Sequence, residues 1–179
     1  TFITHPEEGP HPVVLFLMDA PGKRAELHDM ANRLATAGYY VMLPNLYYRR
    51  VREFKIQESG RDAMHELMAS LSNAMVCEDV RSLIEFADQD AAARDGKLGC
   101  VGYCMSGPFA FAAAAAFPDR IAASASFHGV YLYSDRADSP HLDAEKIKAE
   151  MYFGCAETDE YAPKEMVDNL ESYLATTNI

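Results

Sequence analysis

The 179 residues read as an α/β protein: a mostly parallel sheet with helices on both faces. Three observations predict this class. Apolar runs of strand length recur at wide intervals, stretches of helical periodicity fill those intervals, and one run leads directly into a small residue, a cysteine, another small residue and a helix. Parallel strands need crossovers long enough to hold a helix, and a sheet covered on both faces has uniformly apolar strands.

Strands are expected at residues 13–18, 39–43, 98–103, 122–127 and 151–153, each short and largely apolar. After the first, Leu27, Met30 and Leu34 keep one helical face, and Gly38 supplies the stop. Val76, Val80, Leu83 and Ala87 mark a second helix, and the alanine run 112–116 a third, tightly packed one. The connection 44–59 carries Tyr47, Tyr48 and Phe54 among charges, is long for a plain crossover, and is expected to overhang a site. Residues 130–142 read as a second surface loop, leading to a short helix at 143–148.

An apolar fraction of 49% and a charged fraction of 24% suit a folded globular protein of one domain. No apolar run reaches the roughly 18 residues that cross a bilayer, so no membrane partner is expected. The formal charge of −11 argues against nucleic acid, whose binding depends on Lys and Arg at phosphates. Cys77, Cys100, Cys104 and Cys155 show no C-x-x-C spacing, and two of them lie in apolar runs, which points to a reducing compartment, the cytoplasm. The six histidines show no metal-ligand spacing.

The sharpest feature is the segment Lys97-Leu-Gly-Cys-Val-Gly-Tyr-Cys-Met-Ser-Gly-Pro-Phe-Ala-Phe111. A strand, a nucleophile flanked two residues away by Gly102 and Ser106, and a helix with Pro108 in its first turn have the form of a nucleophile elbow. A thiol at a helix N-terminus meets the positive end of the dipole, which favours its thiolate. The N–H of Met105 would supply half of an oxyanion hole, and the turn Met18-Asp-Ala-Pro-Gly22 the other half, through the N–H of Ala20. Taken alone, Cys104 could also be a buried cysteine at a strand end.

Val-Gly-Tyr-Cys-Met-Ser-Gly resembles the Gly-Tyr-Cys-x-Gly-Gly elbow of dienelactone hydrolases, with Ser106 replacing the first of the two glycines. The likeness extends through Phe-Leu-Met-Asp-Ala-Pro-Gly and Leu-Pro-Asn-Leu-Tyr-Tyr-Arg to residues 154–163. It implies an α/β-hydrolase fold and a cysteine hydrolase that forms an acyl-enzyme with small esters or lactones, using no metal or organic cofactor. It also places Asp159 at the triad acid, where a carboxylate holds an imidazole in the right tautomer. Read alone, Asp159 is equally a loop aspartate beside Glu157 and Glu160.

The order nucleophile, acid, histidine belongs to this fold, yet the last histidine is His141. The resemblance implies a further strand, a histidine-bearing loop and a closing helix, so residues 1–179 are expected to be one domain incomplete at its C-terminal end. His128 is expected at the same rim as Cys104, facing substrate. The resemblance further implies that Asp19 contacts the resting cysteine, and that Arg61 meets that acid and a substrate carboxylate. Two other readings stand beside this one: a catalytically inactive domain that binds a ligand or a protein in the same cleft, and a redox-sensing thiol.

Overall fold

A computed structural model describes residues 1–179. Six strands form one sheet: β1 (Phe2–Thr4), β2 (Val13–Leu17), β3 (Tyr40–Leu43), β4 (Leu98–Tyr103), β5 (Ile121–Phe127) and β6 (Glu150–Gly154). Their order is β1-β3-β2-β4-β5-β6, with β1 antiparallel to β3 and every other pairing parallel. Five of them match the expected strands to within a residue or so. The sixth, β1, is a three-residue edge strand outside that expectation.

Four α-helices lie between strands, α1 (Ala25–Thr36), α2 (Ile56–Ala69), α3 (Asn73–Ala87) and α4 (Gly107–Ala116), and a fifth, α5 (Lys164–Leu174), follows β6. α1 ends where expected, since Gly38 takes a φ of 95° and returns its N–H to the Ala35 carbonyl. α3 starts at a side-chain cap, the Ser72 hydroxyl accepting from the Met75 N–H at 3.2 Å. Its Val76, Val80, Leu83 and Ala87 are all buried, as their spacing predicts. α4 is apolar all round and lies inside the molecule, so its alanines allow close approach to β4, β5 and α3. On the other face α1 brings Leu34 into a groove shared with Val101 and Tyr103. No helix is long and apolar enough to cross a membrane.

The connectivity decides where a site can form. From β2 the chain moves outward to β3, then returns to the other side of β2 as β4. Two crossovers therefore diverge between the carboxyl ends of β2 and β4, and the crevice opened at such a reversal is where open α/β sheets bind ligands.

Two expectations for the connections need correction. Residues 44–59 are not one overhanging loop. Leu46, Tyr47 and Phe54 are buried, and the Asn45 amide ties the segment together by donating to the Val51 and Arg52 carbonyls at 3.1 and 3.0 Å. The segment that does overhang is α2, which has no buried residue and is broken at Gly60, where φ is 82°. In place of a helix at 143–148, a 3-10 helix spans Pro140–Lys146, its Pro140, His141 and Ala144 buried.

Candidate active site

Cys104 sits at the sharp bend between β4 and α4 with φ of 51°, a left-handed conformation costly for a residue with a side chain. The surroundings hold it there. A β-carbon at Gly102 would collide with the Ser106 carbonyl, and one at Gly107 with the Gly129 backbone and the Ser126 hydroxyl. The small residues are thus demanded by backbone approaching backbone. Ser106 is fully buried, and its hydroxyl donates to the Met18 carbonyl, which ties the elbow to the end of β2.

The elbow opens onto a cavity of about 700 Å³. Ala20, Pro21, Cys104 and Met105 line its base, Met64 and Met68 of α2 its roof, and Tyr131 and Ser139 one wall. It is thus built mainly from three segments: the elbow, α2 and the loop 130–140.

Electrostatics at the sulfur depart from the expected thiolate stabilisation. Burial pushes the Cys104 thiol above its ordinary value; the Met105 N–H bonded to it pulls it down, and the carboxylates of Asp19 and Asp159 push it up again. A turn of 3-10 helix, Cys104–Ser106, stands between β4 and the first residue of α4. Burial raises the other three thiols too, Cys77 to about 11. What distinguishes Cys104 is its position, since it alone of the four lines the cavity.

The remaining predicted residues divide into two groups. Met105 and Ala20 border the cavity with Cys104, and Asp159 stands close enough to act on the thiol. Asp159 is part-buried and its Oδ1 accepts the N–H groups of Tyr161 at 2.8 Å and Ala162 at 3.2 Å, so the loop fixes its direction. His128 does not line the cavity: it is exposed at the end of β5, with φ of 42°, and its ring lies 6.2 Å from that of Tyr103. Arg61 lines the cavity from α2 but does not reach Asp19. That acid is paired instead with Arg24, whose two guanidinium nitrogens stand 2.5 and 2.8 Å from its carboxylate oxygens.

Sequence reasoning passed over Arg24 because a charged residue five positions from an acid, at the start of a helix, reads as solvated. Three tyrosines in the neighbouring loops differ in environment. Tyr131 lines the cavity, Tyr48 lies outside and donates to Asp79 at 3.0 Å, and Tyr47 is buried beneath the cavity floor with its hydroxyl on the Ala20 carbonyl at 2.8 Å. No three His, Cys, Asp or Glu side chains converge to hold a metal ion.

Similarity to known proteins agrees with this architecture. A Klebsiella pneumoniae protein assigned to the dienelactone hydrolases superposes with a TM-score of 0.87 at 22% identity, over 98% of this chain and 74% of that one. The carboxymethylenebutenolidase of Pseudomonas putida is 26% identical over 141 residues, which is 76% of this chain and 58% of that protein. A Synechocystis protein assigned the same activity is 26% identical over 157 residues, 84% of this chain and 63% of its own length. The chain therefore spans less than two thirds of these two relatives. The model of the dienelactone hydrolase family matches residues 1–179, and with the parallel sheet, the reversal between β2 and β4 and the cysteine elbow, the chain belongs to the dienelactone hydrolase family.

Proposed function

We propose that this chain carries the nucleophilic centre of a hydrolase acting on small esters or lactones, with Cys104 as the attacking group. The observation that carries the reading is the left-handed Cys104 at the base of a 700 Å³ cavity with the Met105 N–H directed at its sulfur. The thiol passes its proton to a general base, an imidazole oriented by Asp159 or, in its absence, water; Sγ then bonds to the substrate carbonyl carbon, and the carbonyl π pair moves onto the oxygen as negative charge. The N–H groups of Met105 and Ala20 stabilise that oxygen, and being fixed in place beforehand they need little reorganisation as the charge develops. The intermediate collapses by breaking the C–O bond, the alkoxide takes a proton from the acid form of that base, and water later cleaves the thioester. Asp159, fixed by its two backbone donors, is the carboxylate that would orient an imidazole for both proton transfers.

The substrate class follows from the walls and from the relatives. Met64, Met68, Leu71 and Phe109 offer an apolar surface to an unsaturated or aromatic acyl group, and Arg61, which forms no ion pair, faces the same space. A small ester or lactone bearing a carboxylate fits both, in keeping with the carboxymethylenebutenolidases among the relatives.

The test is a burst experiment. Mixing the chain with p-nitrophenyl acetate should release up to one equivalent of p-nitrophenolate, and mass spectrometry should find one acetyl group on Cys104. Cys104→Ala should show neither. An equal burst from the variant, or no adduct on the unaltered chain, would sink the assignment and favour a domain that binds in this cleft without turnover.

A further inference from the structure

One side chain outside the cavity touches both halves of the proposed oxyanion site. Tyr47 is 1% exposed, its hydroxyl donates to the Ala20 carbonyl at 2.8 Å, and its oxygen stands 3.2 Å from the Met105 sulfur. The two partners lie 27 and 58 residues away in sequence, on the turn after β2 and on the elbow after β4.

The ring and backbone of Tyr47 are themselves fixed. Its N–H donates to the Asn45 side chain at 3.1 Å, its ring meets Phe54 edge-on at 5.9 Å, and the same ring closes over Gly22. The Ala20 turn is held from the other direction as well, because the Asp19 carbonyl accepts the Gly22 N–H at 3.0 Å. That bond sets the peptide plane carrying the Ala20 N–H, and the Tyr47 hydroxyl sets the next plane, the one before Pro21. With both planes set, and the residue before a proline already restricted, the Ala20 N–H has little freedom left.

We infer that Tyr47 is a positioning residue for acyl transfer: its hydroxyl holds the Ala20 turn against the Met105 elbow so that two N–H donors from separate loops converge on one oxygen. The inference rests on the hydrolase reading above. A tyrosine that merely filled the core would need no hydroxyl, and a carbonyl at a tight turn could equally be left to solvent. Here the hydroxyl meets that carbonyl in a buried place, where a lost partner is not replaced by water.

Tyr47→Phe keeps the ring and deletes the bond. Two reactions at the same sulfur then separate the roles. In acylation by p-nitrophenyl acetate, Sγ displaces p-nitrophenolate through an oxyanion; in alkylation by iodoacetamide, Sγ displaces iodide at a saturated carbon and no oxyanion forms. The expected result is a burst rate lowered roughly 10- to 100-fold, as for a small misplacement of reacting groups, with alkylation of Cys104 unchanged. An unchanged burst rate overturns the role of Tyr47 alone. A parallel fall of both rates overturns it too, in favour of packing. No acyl adduct on the unaltered chain overturns the hydrolase reading and this inference with it. Should Tyr47→Phe fail to fold, Asn45→Ala loosens the loop that carries Tyr47 and should give the same split between the reactions; equal rates in that variant would overturn the inference.

Discussion

Asp19 and Arg24 form a two-pronged ion pair, and the same guanidinium donates to the Gly22 carbonyl at 3.0 Å. One cation thus braces the turn bearing Ala20 and pairs with a carboxylate that acts on the Cys104 thiol. Because a bare carboxylate disfavours a neighbouring thiolate, removing either partner has opposite effects on Cys104. Asp19→Asn should move the midpoint of iodoacetamide alkylation to lower pH, and Arg24→Gln should move it higher. A common midpoint in the two variants and the parent would refute the coupling.

The parent chain itself makes a second prediction. Burial, followed by Asp19 and Asp159, sets the Cys104 thiol above its ordinary value despite the Met105 N–H. The thiolate fraction should therefore still be climbing where a free cysteine, with a pKa of about 8.5, is half ionised. Alkylation rates measured from pH 7 upward check this, and a plateau below the free-thiol midpoint would contradict it.

Backbone packing at the elbow predicts a selective sensitivity. Gly102→Ala and Gly107→Ala each drive a methyl into backbone and should cost about 2–3 kcal/mol in a denaturant titration. Gly99→Ala, on the same strand, meets only ordinary contacts at 3.8 Å and should change stability by less than about 1 kcal/mol. Similar losses at all three positions would mean that strand propensity, not the bend, governs this region.

Arg61 should discriminate between substrates. Replacing it with Ala removes the cavity-lining guanidinium without an ion pair, so acylation by a carboxylate-bearing ester should slow roughly tenfold or more while acylation by p-nitrophenyl acetate changes little. Equal slowing with both esters would place Arg61 outside substrate recognition.

Local stability should differ sharply between the cavity's roof and its base. Amide hydrogens of α2, which has no buried residue, should exchange far faster than those of the largely buried α4. Matching exchange rates in a mass-spectrometric time course would rule out a loosely held roof.

How much of this could be read in the sequence depended on the range of the interaction concerned. β4 appeared with its observed limits because an unbroken apolar run stops at a bend that only small residues allow, a local pattern. Cys104 followed from the same pattern. β1 escaped because three residues at an edge, Phe2 to Thr4, give no periodicity to detect. α2 escaped for a related reason: Gly60 interrupts it and none of its residues is buried, so its apolar positions lack the regularity of α3. The Tyr47 hydroxyl could not be paired with Ala20 from sequence, since only the reversal of the sheet brings those loops together. His128 was placed at the correct end of the sheet, but the turn after β5 sends its ring toward Tyr103 and solvent. Arg61 was carried over by resemblance, and a nearer cation, Arg24, had already taken its acid.

The break at Gly60 divides labour between the parts of the cavity. Arg61, Met64 and Met68 all lie on the half-helix after the glycine, whereas Cys104, Met105 and Ala20 sit on the turns that follow strands β4 and β2. The ceiling of the cavity and its base are therefore separate pieces of the scaffold: side chains on the half-helix after Gly60 can be resized or recharged without altering the residues at the two strand ends.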